Sequence, residues 1–252
     1  MATAVDKRMT DIGGLIASIL GAIPGWYNYI AEQETAGRCL QWVRDHLALD
    51  EIGVYLADHP YSEAVGMVQN RYDFRNQEVE RVAPGSGGLI FTPWLHGNRS
   101  PFEDPYARGM FFNIGLQTGK REMVRAVLEG VAYHQRWMLE RVEKKVPYRE
   151  RLRFVGGGAR SPAWGQILAD VTGRRIEVVR NAQNVGTVGA AVVCAVGLGL
   201  LDNFHDAASL ITVERAFEPQ PANRVVYDRN FEVYVQLHQR NRELFKDLNG
   251  RQ

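Results

Sequence analysis

The segment Phe154-Val155-Gly156-Gly157-Gly158-Ala159-Arg160-Ser161-Pro162 carries the sharpest chemical signal in the chain. An apolar strand runs through three successive glycines into a helix whose start is marked by Ser161 as cap and Pro162 in the first turn. Positions without side chains let backbone approach a ligand closely. Unpaired N–H groups at the helix start offer partial positive charge to a phosphate, or hydrogen bonds to a ribose or base. Gly156, Gly157, Gly158, Ala159 and Ser161 are therefore candidate binding residues. The competing reading is a plain strand-to-helix turn, but such a turn needs one or two glycines at special φ, not three in a row.

A phosphate-cradling P-loop is excluded, because it requires Gly-Lys followed by Ser or Thr and no such lysine follows this run. A dinucleotide fingerprint needs Gly-x-Gly-x-x-Gly. Gly156, Gly158 and Ser161 meet two of its three positions, with Glu177 about 20 residues on for a ribose contact, so an NAD-binding oxidoreductase stands as a rival. A second small-residue segment, Asn181-Ala182-Gln183-Asn184-Val185-Gly186-Thr187-Val188-Gly189-Ala190-Ala191, opens the next helix. Each of its helical glycines costs about 1 kcal/mol relative to alanine. Close backbone packing, or packing together with a nucleotide contact, has to compensate, and Gln183 and Asn184 are the polar candidates at the helix entry.

No catalytic residue and no metal ligand is assigned. His96 and Arg99 share a proline-rich loop with Glu103 and Asp104, where internal hydrogen bonding is the commoner role for such groups. Arg108 has two choices, pairing with Asp104 or facing a cleft. The other histidines lack ligand spacing, and no Ser-His-Asp or Cys-His arrangement favours a hydrolase.

These segments need elements to position them. Residues 14–30 alternate apolar stretches with Gly21, Pro24 and Gly25 and predict two strands joined by a turn. Residues 32–47 predict an amphipathic helix through Ala36, Cys39, Leu40, Val43 and Leu47. Residues 61–72 predict a weaker one. Residues 71–86 read as a polar surface connection into a strand at 89–91, and residues 92–108 as an ordered loop packed through Trp94, Phe102 and Tyr106. A strand at 109–115 and a long helix at 118–145, with Met123, Val127, Leu128 and Val131 inward, follow. Strand 152–155, helix 162–172, strand 176–179 and helix 185–196 then alternate, which predicts an α/β layer with a partly parallel sheet. The Gly- and Ala-rich run at 185–201 reads as a buried helix. A final helix at 223–248 offers Val226, Phe231, Tyr234, Val235, Leu237 and Leu244 for docking.

Composition bounds the rest. The 252 residues, 45% hydrophobic and 23% charged, are enough for a sizeable core. Thirty Lys and Arg against 29 Asp and Glu give no global field that draws a protein to nucleic acid or an anionic membrane. Cys39 and Cys194 read as reduced core thiols, and residues 1–10 have no secretory pattern, so the expected location is cytoplasmic.

Five segments, in this order, resemble the C-terminal half of FGGY carbohydrate kinases, especially xylulokinase-like members. They are Pro93-Trp94-Leu95-His96-Gly97-Asn98-Arg99-Ser100-Pro101, Asp104-Pro105-Tyr106-Ala107-Arg108-Gly109, Arg125-Ala126-Val127-Leu128-Glu129-Gly130, the Gly156 run and Gly186-Thr187-Val188-Gly189-Ala190-Ala191. The resemblance implies an α/β domain of the ribonuclease H-like, actin-like ATPase fold, with a mixed sheet flanked by helices, occupying residues 1–252. It implies ATP-dependent phosphorylation of a sugar or polyol hydroxyl, a xylulose-like ketose favoured, with ATP and Mg2+ as cofactors. Gly156, Gly157, Gly158 and Ala159 would border the nucleotide, and the segment after Asn181 would lie beside the adenine. The catalytic aspartate, the magnesium-positioning aspartate and most of the sugar site would belong to an N-terminal half, the expected partner; a homodimer is left open. Phe111 to Leu116 is longer than the common family spacing. The alternatives are a non-catalytic nucleotide-binding module and the NAD-binding domain.

Overall fold

The computed structural model describes residues 1–46, 79–204, 206–207 and 211–250. The first layer is an antiparallel sheet of β1 (Ala2–Val5), β2 (Thr10–Asp11), β3 (Ile16–Leu20) and β4 (Tyr27–Ile30), in the order β1-β4-β3-β2. Ala17 to Leu20 pair with Tyr27 to Ile30, so the predicted hairpin is present, and β1 pairs with the other edge of β4.

Helix α1 (Gly37–His46) begins five residues later than the periodicity suggests. The reason is tertiary. Glu32 exchanges backbone-directed hydrogen bonds with Ser100, its carbonyl accepting from Ser100 N–H at 3.0 Å, and the Thr35 hydroxyl donates to the Pro93 carbonyl. The backbone there is committed to the proline-rich loop and is unavailable for a helical ladder. The expected helix at 61–72, like Leu47, lies outside the described residues. The connection before β5 (Ile90–Phe91) is not a surface segment throughout, because Val79, Val82 and Ser86 are buried. Its partner β6 (Phe111–Phe112) is shorter than the strand expected at 109–115, and Asn113 ends it at φ 70.

Helix α2 (Lys120–Val142) is the spine of the core. Val127, Leu128 and Val131 are buried as expected, and Met123 is half-buried. The helix crosses β5 at Gly130, where a Cβ would stand 2.1 Å from the Phe91 carbonyl oxygen. The C-terminal layer alternates β7 (Arg151–Phe154), α3 (Pro162–Thr172), β8 (Arg175–Val179), α4 (Val185–Gly197), β9 (Val213–Phe217) and α5 (Arg224–Asn249). β7 and β8 are parallel and β9 joins antiparallel, so the sheet is mixed, as the strand–helix alternation predicts. α5 docks through Tyr227, Phe231, Tyr234 and Leu237, whereas Leu244 is exposed.

Two expectations fail at α4. It is not a buried helix, since none of its residues is buried and Val188 and Val193 are 46% and 42% exposed. Cys194 on it is exposed rather than a core thiol, while Cys39 is buried. Among the described residues no helix is long and apolar enough to cross a membrane.

Candidate functional site

The glycine run is a strand-to-helix loop in three dimensions too. β7 leads into Gly156 at φ 91 and ψ −175, a conformation essentially confined to glycine. A short 3-10 turn, Gly157–Arg160, follows, and Ser161 caps α3 by accepting a hydrogen bond from the Trp164 N–H at 3.1 Å, with Pro162 in the first turn. Each glycine has its own reason. Gly156 supplies the positive φ, and Gly158 lies on Trp164 and Phe154, whose ring atoms stand 2.6 Å and 3.0 Å from where its Cβ would be. A Cβ on Gly157 would meet nothing within 4 Å, so packing does not demand a glycine there.

The second segment is brought against the first. Asn181 at φ 54 turns the chain out of β8, and the turn Ala182–Asn184 packs on the turn Gly157–Arg160. The Gly156 N–H donates to the Ala182 carbonyl at 2.8 Å, which ties the two loops into one rim. Gln183 and Asn184 stand exposed at that rim, at the head of α4. Ala159 is buried beneath it, with its carbonyl accepting from Arg215 of β9 at 2.8 Å, so it forms floor rather than surface. Gly186 and Gly189 also face open space, with nothing within 4 Å of either Cβ position, so among the described residues close packing does not account for them.

The rim opens on a cleft of about 1020 Å³ between the two sheets. Gly157 and Gly158 lie at one wall, Glu32, Glu34 and Arg99 at another, and Gln33, Gln135, Arg153 and Thr172 add further polar groups to its lining. Arg99 is held by Glu32 at 2.5 Å and Glu34 at 3.6 Å, an ion-paired group rather than an acid–base one. His96 is exposed. Asp104 is buried and fully used, accepting from the Tyr106 and Ala107 N–H groups and meeting His238 at 2.8 Å. Arg108 takes neither expected role, donating instead to the Pro105 and Ala107 carbonyls. Glu177 is buried beside Arg175 at 3.3 Å and Arg151 at 3.7 Å, so its carboxylate is engaged rather than presented to a ribose.

Sequence reasoning passed over the polar core behind the site. Glu129 is fully buried and accepts from Arg125 at 2.7 Å, Ser86 at 2.8 Å, the Gly85 N–H at 2.9 Å and the Tyr227 hydroxyl at 3.0 Å. The signal was an Arg–Glu pair at i,i+4 inside an otherwise apolar helical stripe. His134 was missed as well. Its Nε2 faces the Ser100 carbonyl at 2.8 Å, which assigns the proton to that nitrogen, and Nδ1 faces the Tyr234 hydroxyl at 2.9 Å. Burial, opposed by the Ser100 hydrogen bond, pushes its pKa down to about 4.

Comparison with known proteins places this geometry. Residues 14–198 match the profile of the FGGY family of carbohydrate kinases, C-terminal domain. A xylulose kinase of Staphylococcus epidermidis is 32% identical over 183 residues, which is 69% of this chain and 37% of that protein. Among solved structures, xylulose kinase from Lactobacillus acidophilus superposes with a TM-score of 0.79 at 22% identity, over 98% of this chain and 46% of that one. Plasmodium falciparum glycerol kinase with ADP gives a TM-score of 0.66 at 19% identity, over 88% and 41%. The fold is thus that of the FGGY sugar kinases, the actin-like ATPase fold. The chain spans less than half the length of these proteins.

Proposed function

Because the chain belongs to the FGGY family of carbohydrate kinases, we propose that it supplies the ATP-binding half of an enzyme transferring the γ-phosphoryl of ATP to a sugar or polyol hydroxyl. The observation that carries this reading is the shared rim of Gly156–Arg160 and Asn181–Asn184, where Gly157 lines the cleft and keeps open space at its Cβ position. Side-chain-free backbone bordering a cleft is what close approach to a nucleotide needs. Gly156, Gly157, Gly158 and Ser161 then border the phosphate and ribose side, and Gln183 and Asn184 offer polar contacts beside the base. Ala159 supports the loop from below. A structural neighbour solved with ADP supports a nucleotide in this fold.

Magnesium fits this half less well. Among the described residues no group of three or more His, Cys, Asp or Glu side chains is placed to hold a metal. The resemblance to the family assigns the magnesium ligands and the catalytic base to the N-terminal half, and no step is assigned to the ion. Catalysis of this class is mostly positioning and charge stabilisation, so both halves must close on the substrates. A xylulose-like ketose is the favoured acceptor, from the names of the relatives.

The test is an ADP-release assay across ketoses, aldoses and polyols, run with this chain alone and with its N-terminal half. Turnover in the pair with a ketose is the expected result. Silence of the pair with every sugar overturns the kinase reading. Calorimetry with ATP, ADP and NAD on the same samples separates the alternatives, since an NAD-binding domain must bind NAD and a scaffold binds no nucleotide or does so without turnover.

A further inference from the structure

The backbone hydrogen bonds of the glycine loop leave one carbonyl over. Gly156 donates its N–H to Ala182 at 2.8 Å, Ala159 donates to Gly156 at 3.2 Å and Ser161 donates to Gly158 at 3.0 Å. The Ala159 carbonyl receives no backbone N–H among the described residues. In a 3-10 turn it would accept from the residue three places on, and that residue is Pro162, which has no N–H to give. Ala159 is 1% exposed, so solvent cannot serve the carbonyl either, and a buried backbone acceptor needs a partner.

Arg215 supplies the donor from a distant part of the chain. It lies on β9 opposite Val178, two strands from β7, and it donates from Nη2 to the Ala159 carbonyl at 2.8 Å. The charge it brings is unbalanced. Arg136, Arg141 and Arg174, half-buried like Arg215, each meet a carboxylate. Among the described residues no carboxylate pairs with Arg215. The loop above it needs such a clamp, because the Cβ positions of Gly156 and Gly157 touch nothing within 4 Å and glycine has the most backbone freedom to lose. A charge-assisted hydrogen bond from a paired strand restricts that freedom.

We infer that Arg215 is a positioning residue for the nucleotide: it fixes the Ala159 peptide, and through it the path of Gly157 and Gly158, and leaves an unpaired cation behind a loop that receives a phosphorylated ligand. The inference rests on the proposed function, which sets the nucleotide against these glycines. Gly157 and Gly158 line the cleft, whereas Arg215 stands behind them and acts through the loop. A loop ordered before the ligand arrives loses less entropy on binding, so the clamp contributes to nucleotide affinity without touching the nucleotide.

ADP calorimetry and steady-state kinetics test this on the chain paired with its N-terminal half. Arg215→Met keeps the apolar stem but removes the donor and the charge. It is expected to weaken ADP binding and to raise KM for ATP by at least about tenfold, the scale of one lost charge-assisted hydrogen bond. KM for the sugar should stay within about twofold, because the change is confined to the nucleotide side. Arg215→Lys, which keeps a cation and a donor, should recover most of the loss. A residue that only stabilised the sheet would lower the melting temperature of Arg215→Met and leave the nucleotide constants alone, so unchanged ADP affinity overturns the inference. Equal losses for ADP and sugar, the mark of a general disturbance, overturn it too. A pair that turns over no sugar, yet loses ADP affinity in Arg215→Met, rejects the kinase reading and leaves this one standing. A parent pair that binds no ADP overturns both.

Discussion

At Gly157 the absence of a side chain has no structural cause among the described residues, and that makes it the cleanest probe of the rim. Its Cβ position is open and its φ is not positive; the left-handed demand falls on Gly156. Gly157→Val is expected to leave the melting temperature unchanged while ATP affinity of the two-half enzyme falls at least about tenfold, a loss of roughly 1.4 kcal/mol. Gly156→Ala should instead lower stability by about 1–3 kcal/mol, because φ 91 with ψ −175 is strained for any residue with a Cβ. Chemical denaturation and calorimetry separate the two effects. Unchanged ATP affinity in Gly157→Val would remove this loop from the binding site.

His134 gives a prediction in pH. Buried and neutral, it has a folded pKa of about 4 against an ordinary value of 6.5, so the unfolded chain takes up the proton first as pH falls. The neutral residue's contribution is present above pH 6.5 and is lost progressively between 6.5 and 4. The loss amounts to about 3 kcal/mol at most, from 1.36 kcal/mol per unit. Denaturation midpoints at pH 7.5 and pH 4.5 should therefore converge in His134→Gln relative to the parent chain. Equal pH dependence in both proteins would show that His134 titrates normally in the fold.

Among the elements, α2 makes the closest approach. Gly130 costs the helix about 1 kcal/mol in propensity relative to alanine, but its Cβ site lies 2.1 Å from a backbone carbonyl that cannot swing aside. The clash outweighs the propensity gain, and Gly130→Ala should destabilise by about 1–3 kcal/mol, read as a shift in denaturation midpoint. A stabilised Gly130→Ala would mean that α2 and β5 are not in contact. The same crossing explains the buried Glu129 beside it. Four donors from α2, α5 and the turn before β5 converge on it, and burial drives the Glu129 carboxyl upward while Arg125 and the surrounding donors draw it back.

For the molecule as a whole, the apolar face of α4 is the departure from an ordinary globular interior. Val188 is 46% exposed and Val193 42%, whereas Leu128 on α2 is 3% exposed. Val193→Gln is expected to change stability by no more than about 0.5 kcal/mol. Leu128→Ala should cost about 2–5 kcal/mol, through lost transfer energy and the cavity left behind. A large loss from Val193→Gln would show that α4 is covered in solution.

Local rules in the sequence determined much of this protein. The hairpin of β3 and β4, the α2 stripe, the Ser161-Pro162 helix start and the β7-α3-β8 alternation follow from turn residues, caps and periodicity, all set within a few residues of chain. The candidate rim was legible for the same reason, because three glycines between a strand and a capped helix leave few other uses. Tertiary structure decided what depends on distant partners. It delayed the start of α1, since Ser100 and Pro93 hold the backbone of residues 32–35. It left α4 exposed although its text is apolar, because hydropathy records what a helix can bury and not what is present to cover it. It also brought Ser86 and Tyr227 from two distant segments to the Arg125–Glu129 pair, partners that the i,i+4 spacing of that pair could not announce.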